Sequence, residues 1–231
     1  MNQASSIPLV AHPSPELLRQ QGEGGHDAER LAHEITGVCD HAEQHLQFAV
    51  RARQDQQVAW LVLCDRGWPL DASANGVDAT RTAQWLAAWR DMVALPVKVW
   101  KPTDMLRLKQ VRNRLTQSEQ QLRTVLPAAL WELVDPLDDT GRATLAFVLQ
   151  ALDIWQDANT RCLAATRIKE ALVQRFGEFG AQARTMSLEP PTAPLDLDGW
   201  RTLAVDARLI AERDKRLHRN EVPSGEHPII S

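Results

Sequence analysis

Apolar residues recur at intervals of three and four along most of the chain, the spacing that places side chains on one face of an α-helix. The pattern starts after Asp27, which is typical of a helix N-cap, and predicts a first helix over 28–53. Its predicted buried face consists of Leu31, Ile35, Val38, Ala42 and Leu46. The segment 58–64 is apolar throughout and fits either a helical continuation or a buried strand; its low β-branched content favours helix.

The same spacing predicts helices over 78–94 and over 103–126, and a short helix over 128–135 that begins after Pro127. The segment 97–100 lies between Pro96 and Pro102, so it is expected to be extended.

The longest predicted helix covers 140–181. One side of it carries Leu145, Val148, Leu149 and Leu152. Phe147 and Ile154 fall roughly opposite at 100° per residue. A helix that is apolar on two sides is usually central in a bundle, so we expect both faces to be buried.

These elements predict an all-α fold, a bundle of about six helices around the long central helix. Short extended segments near 58–64 and 97–100 would make it marginally α+β. The predicted organisation is a flexible N-terminal arm over 1–26, a bundle core over 27–186, a proline-rich linker over 187–198, a last helix over 199–219 and a flexible tail over 220–231.

Composition supports an ordinary globular chain. The 231 residues are 44% hydrophobic and 24% charged, with a net charge of −4 that makes no general case for nucleic-acid or membrane binding. Three widely spaced cysteines predict reduced thiols and a cytoplasmic location. No apolar run is long enough for a transmembrane helix, and the N-terminus does not resemble a signal peptide.

Charge is unevenly distributed. Residues 98–123 contain seven cationic and two acidic residues, a net of +5, whereas residues 1–97 contain seven basic and twelve acidic residues, a net of −5. The candidate binding residues for an acidic partner or nucleic acid are Lys98, Lys101, Arg107, Lys109, Arg112 and Arg114. A packed helix with a solvated basic rim is the simpler alternative. A second basic cluster lies near the C-terminal end of the last predicted helix, where cations interact favourably with the helix dipole: Arg208, Arg213, Lys215, Arg216 and Arg219.

Eight tryptophans and no tyrosine make tryptophan the main large anchor of this chain. Trp68, Trp100 and Trp200 fall at predicted loop or helix margins. Aromatic side chains in such places often meet partners, so these three are the candidate partner anchors.

The first helix also carries His33, His41 and His45. His33-Glu34 begins like a zinc-protease helix, but Gly37 replaces the second histidine, so a ligand is missing. His41 and His45 have the i, i+4 spacing that presents two imidazoles to one metal, yet no other helix offers a matching pair. A solvated polar face is the simpler interpretation, and no cofactor is expected.

Other candidate chemistry is weak. Asp153 and Asp157 are paired carboxylates, but Arg161 follows Asp157 at i+4, where an intrahelical ion pair is enough to explain them. The chain has no phosphate-binding, dinucleotide-binding or nucleophile-elbow motif. We therefore predict no catalytic residues.

The sequence favours a non-catalytic helical interaction or assembly protein, a subunit or adaptor of a larger bacterial-type complex that binds partner proteins or itself rather than membrane. The first alternative is a nucleic-acid-binding accessory factor that uses the basic helix 98–123. The second is a metal-binding helical enzyme that uses the three histidines.

Overall fold

The structure, a computed structural model, describes the backbone of residues 15–95, 101–135 and 137–221, and the side chains within these ranges from residue 25 to residue 219. This part of the chain is all-α, as predicted, with six helices and no strand. The helices are α1 (Pro15–Asp65), α2 (Ala79–Val93), α3 (Pro102–Arg123), α4 (Ala128–Val134), α5 (Asp139–Thr185) and α6 (Leu197–Glu221).

Helix α1 is longer than predicted at both ends. Residues 58–64 are helical, which confirms the favoured alternative. Residues 15–26, predicted to belong to a flexible arm, are helical too. Glycine lowers helix propensity, but at Gly25 it has a packing reason, because a Cβ there would lie 3.0 Å from the Cβ of Asp214 on α6. The segment 97–100 and the tail beyond 221 lie outside the described residues.

Contacts divide the chain into two compact units, which we call unit 1 (1–46 and 168–231) and unit 2 (47–167). Both long helices therefore contribute to both units, a division that differs from the predicted single core over 27–186.

Unit 1 packs the first part of α1, the end of α5 and α6 around an aromatic cluster. Phe176 and Trp200 stack with ring centroids 5.0 Å apart, and Phe179 meets Trp200 edge-on at 6.4 Å. All three rings are buried. Small residues of α1 and α6 surround this cluster and let the helices approach closely: Ala32, Cys39, Ala42, Ala204 and Ala207.

Unit 2 contains the end of α1, helices α2 to α4 and the first part of α5. Its core is formed by buried leucines, alanines and tryptophans. The turn after α1 contains Gly67, whose φ of 99° is favourable only for glycine. The turn there is closed by a hydrogen bond from the Trp68 backbone N to the Leu63 carbonyl (3.2 Å), which directs the Trp68 side chain back into the core.

Helices α1 and α5 run antiparallel in unit 2. Contacts between them follow one another in opposite chain order: Asp55 with Arg161 (2.8 Å), Gln56 with Asn159 (2.6 Å), Trp60 with Trp155 (ring centroids 5.7 Å) and Arg66 with Phe147 (5.2 Å to the ring centroid). Helices α2 and α3 are also antiparallel, because Arg81 reaches Thr124 and Asp91 reaches Arg114.

A largely buried ion pair connects α3 to α5. Arg142 Nε donates to Glu119 Oε1 at 2.8 Å, and only 9% of the Glu119 side chain is exposed. The hydrogen bond to Glu119 raises the pKa of the Arg142 guanidinium above its ordinary value. The pair is therefore a fixed structural element of unit 2.

Candidate interaction surfaces

Helix α3 presents its predicted cations to solvent. Lys101, Arg107, Lys109, Arg112 and Arg114 are all exposed, and Lys98 lies outside the described residues. Arg114 is neutralised by Asp91 at 2.7 Å. Within the described ranges, the other four form no ion pair, so their charges are available to an external anion.

The free cations of α3 fall on two sides of the helix. Arg114 faces α2, and Arg107, two turns earlier, shares that side. Lys109 and Arg112 lie about 60° apart on another side, and Lys101 is the N-cap residue just before the first turn. Met105, which is 60% exposed, lies among them. We call this second group, Lys101, Met105, Lys109 and Arg112, the α3 cationic face.

The cations of α6 differ because acids of unit 1 neutralise several of them. Lys215 pairs with Glu29 at 2.7 Å and Arg201 with Glu43 at 3.2 Å. Arg208 donates to the Thr36 hydroxyl at 3.0 Å. These contacts join α6 to α1, so this basic cluster has a structural role within its own unit.

Trp68 and Trp200 are both only 2% exposed, each inside the core of its own unit. The indole N–H of Trp68 donates to the Ala72 carbonyl at 3.0 Å, and that of Trp200 donates to the Pro194 carbonyl at 3.1 Å. The prediction that these two rings are partner anchors is therefore corrected. A residue at the margin of a helix can still direct its side chain into the core. Trp100 lies outside the described residues.

The structure brings His33, His41 and His45 to one groove of unit 1, about 570 Å³ in volume, between α1 and α5. Its walls are mostly apolar, with Ile168 and Leu172 supplied by α5. The described residues contain no group of three or more histidine, cysteine or acidic side chains arranged to hold a metal ion.

Two polar groups in this groove already have partners. The Nδ1 of His41 lies 2.7 Å from the Gly37 carbonyl, and Glu34 accepts from Arg175 at 2.7 Å. These contacts leave fewer donor atoms for a metal than the sequence spacing suggests.

All three cysteines are unpaired. Burial raises the pKa of the Cys39 and Cys64 thiols, which keeps both protonated near neutral pH. A thiol must ionise to act as a nucleophile, so neither side chain is activated for catalysis.

The intrahelical ion pair predicted on α5 is confirmed. Arg161 Nε lies 3.1 Å from Asp157, and its Nη1 also reaches Asp55 on α1 at 2.8 Å. One guanidinium therefore holds two carboxylates, which explains Asp157 without a catalytic role.

The second apolar side of α5 is not buried as predicted. Phe147 is 54% exposed and Ile154 is 57% exposed. On the neighbouring side of α5, Ala151 and Ala158 are buried in the core of unit 2. Two large apolar side chains of the central helix therefore remain open to solvent.

Helix α1 extends this exposed surface. Val58 and Val62, 60% and 38% exposed, lie on the side of α1 that also carries Asp55 and Arg66. Asp55 and Arg66 contact opposite ends of the α5 row that contains Phe147, Ile154 and Arg161. The two rows are therefore adjacent, and we call the apolar residues between their charged ends, Val58, Val62, Phe147 and Ile154, the α1–α5 strip.

Only one part of this strip was visible in the sequence. The helical wheel places Phe147 and Ile154 on a second face of α5, but it cannot show whether another helix covers that face. The contribution of α1 depends on the pairing of two segments about 90 residues apart, and no local pattern encodes that pairing.

No protein-family model matches the chain, and neither a curated protein nor a solved structure is significantly similar to it. No helix in the described ranges has the length and apolar composition needed to cross a membrane.

Proposed function

We propose that this chain is a non-catalytic helical interaction protein, a subunit or adaptor that works by docking to another protein surface through unit 2. The observation that carries the proposal is the α1–α5 strip, where four large apolar side chains on two packed helices are exposed together. Contiguous exposed apolar surface on a folded protein is typical of protein–protein interaction sites.

Two further features support docking over catalysis. The thiols of Cys39 and Cys64 are kept protonated because burial raises their pKa. Glu34, His41 and Asp157, which suggested chemistry in the sequence, have structural partners. The strip itself is bordered by charged groups, Arg66 at one end and the Asp55–Arg161–Asp157 group at the other. An apolar centre with a charged rim resembles the general composition of protein interfaces.

The proposal is tested by cross-linking and affinity capture from the native cell. We expect the wild-type chain to retain a stoichiometric partner, either a different protein or a second copy, that Ile154→Glu loses. The matched control is Leu209→Glu in unit 1, since Leu209 is 58% exposed and Ile154 57%. A result in which all three chains capture the same set of proteins, or none, contradicts the proposed function.

The second candidate function is nucleic-acid binding through the α3 cationic face. It is favoured by one observation, that Lys101, Lys109 and Arg112 are exposed and have no carboxylate partner among the described residues. Each phosphate contact releases counterions, so this function requires affinity that falls steeply with salt.

A gel-shift series with a duplex and a single-stranded oligonucleotide tests this candidate. Lys109→Glu combined with Arg112→Glu should abolish any shift, whereas Arg213→Glu, an exposed cation on α6, should change it little. No shift at low salt for the wild-type chain would eliminate nucleic-acid binding by this face.

A further inference from the structure

The two ends of the α1–α5 strip carry opposite charge. At one end, the Arg66 guanidinium lies over the Phe147 ring, 5.2 Å from its centroid, and forms no ion pair within the described part of the chain. At the other end, Arg161 is shared by Asp55 and Asp157, a group with a net charge of −1. In the positions next to α5, one end therefore carries a positive charge and the other a net negative charge.

The spacing of these groups is symmetric along the helices. Ile154 lies midway between Phe147 and Arg161, seven residues from each, or about 10 Å along α5. At the same level, Trp60 of α1 meets Trp155 of α5. Trp60 is also close to midway between Asp55 and Arg66, so the centre of the strip is the same on both helices.

The outer border of the strip also carries charges of both signs. Arg51 and Asp65 are exposed on the side of α1 farther from α5. Asp65 accompanies Arg66 at one end, and Arg51 lies beyond Asp55 at the other. Reversing the strip end for end therefore brings Arg66 to the level of Asp55, whereas Arg51 and Asp65, nine and five residues from Trp60, come to levels that differ by about 6 Å.

We propose that the α1–α5 strip docks on the same strip of a second copy of this chain, with the helices of the two copies antiparallel. The two-fold axis crosses the helices at the level of Ile154, which packs against Ile154 of the partner. Arg66 of each copy then reaches the free carboxylate oxygens of Asp55 and Asp157 of the other. A self-complementary patch is what a two-fold dimer requires.

This inference rests on the proposed function and identifies its partner as a second copy. The strip and its charged ends span about 20 Å along two helices, a patch smaller than the roughly 800 Å² that each partner buries in a standard-size interface. We therefore expect a dimer that dissociates on dilution.

The first test measures molar mass by sedimentation over about 1 µM to about 1 mM, the range in which an interface of modest affinity dissociates. The wild-type chain should change from monomer to dimer within this range. Ile154→Glu should raise the dimer Kd by about tenfold or more, because it places two like charges at the centre of the interface. Leu209→Glu should leave the Kd unchanged, and circular dichroism should show all three chains equally helical.

The second test uses charge reversal. In the Arg66→Glu variant, the new carboxylate of each copy faces the acidic end of the other copy. In the Asp157→Arg variant, the end that contains residue 157 becomes cationic, and it faces Arg66 of the other copy. Each variant should be monomeric by itself. Mixed together, they should form a heterodimer, because both contacts between the two chains then join opposite charges.

Self-docking is contradicted if the wild-type chain stays monomeric over the whole concentration range. It is also contradicted if Ile154→Glu leaves the dimer intact, or if the two charge variants do not associate when mixed. The capture experiment separates these outcomes from failure of the proposed function. A monomeric chain that captures a different protein, and loses it in Ile154→Glu, contradicts only the second copy as the partner.

Discussion

The two units differ in how completely they satisfy their own surface groups. In unit 1, three cations that face α1 are paired with acids, Arg175 with Glu34, Arg201 with Glu43 and Lys215 with Glu29, and Arg208 donates to the Thr36 hydroxyl. In unit 2, the α3 cationic face and Arg66 have no acidic partner among the described residues, and the α1–α5 strip is exposed. The contrast is that contacts between helices account for these cations of unit 1, whereas the α3 cationic face and Arg66 of unit 2 remain open to solvent.

The cores show a related difference. The indole N–H of Trp200 in unit 1 donates to a carbonyl, whereas those of Trp85 and Trp131 in unit 2 are buried with no partner. A buried donor without an acceptor reduces the stability that the ring otherwise contributes. Unit 2 therefore combines a larger core with buried indole N–H groups that form no hydrogen bond.

Replacing Trp200 by alanine should have the largest effect. Trp200 stacks on Phe176 and is fully enclosed, so its removal should lower the free energy of unfolding by about 3 to 5 kcal/mol. Urea denaturation measures the loss, and hydrogen exchange resolved along the chain shows whether it is confined to unit 1. Leu209→Ala on the same helix is the control and should cost less than about 0.5 kcal/mol.

Removing Glu119 should have the next largest effect and should act on unit 2. Glu119→Ala leaves Arg142 largely buried without its carboxylate, and we expect a loss of about 3 kcal/mol, the lower end for a broken buried pair. Asp139→Ala removes the other carboxylate near Arg142, at 3.8 Å and 88% exposed, and should change stability little. Equal losses in the two variants would show that burial does not determine the strength of this pair.

Exchanging tryptophan for phenylalanine compares the two cores directly. Trp200→Phe and Trp85→Phe remove the same ring volume, but only the first breaks a hydrogen bond. We expect Trp200→Phe to cost about 1 kcal/mol more than Trp85→Phe, the net contribution of one hydrogen bond. The two denaturation curves measure the difference. A larger loss of unfolding free energy for Trp85→Phe than for Trp200→Phe would contradict the assignment of the hydrogen-bonded indole to unit 1 and the unbonded one to unit 2.

The smallest effect concerns the exposed ion pair between α1 and α6 in unit 1. The hydrogen bond from Lys215 lowers the pKa of Glu29 below its ordinary value of 4.5. Glu29 therefore stabilises the fold above the unfolded-state pKa, and this contribution is lost as the pH falls through the folded-state pKa. In Lys215→Ala, an NMR titration should show the pKa of Glu29 raised toward its ordinary value.

Arg216→Ala is the matched control, since Arg216 pairs with Glu212 on its own helix at 3.7 Å and not with Glu29. A pKa of Glu29 that stays the same in Lys215→Ala would show that this pair does not persist in solution. Lys215 would then lose its structural explanation, and only the contacts of Arg201 and Arg208 would join α6 to α1.

Local sequence signals predicted the elements well. The three-four spacing of apolar residues placed six helices, and the low β-branched content of 58–64 identified it as helix. Asp78 caps α2, its side chain accepting from the Thr80 backbone N at 2.8 Å. The errors arose at ends of elements, where Gly22, Gly24 and Gly25 suggested an arm although packing against α6 holds Gly25 in a helix.

The candidate surfaces were predicted only in part. The exposed cations of α3 and the ion pair of Asp157 with Arg161 follow from spacing along a single helix. The burial of Trp68 does not, because it depends on the turn at Gly67. The partners of the α6 cations lie on α1, more than 150 residues away, and could not be identified from either segment alone.

The sequence by itself determined that this chain is helical, where its helices lie and which sides of them are apolar, because these properties depend on residues within a few turns of one another. Only the tertiary structure decided which apolar sides are covered. Phe147 and Ile154 have the pattern of core residues, yet they are exposed, whereas the neighbouring Ala151 and Ala158 of α5 are buried. Burial is a property of pairs of distant segments, so the surface on which the proposed function depends emerged only when α1 and α5 were placed side by side.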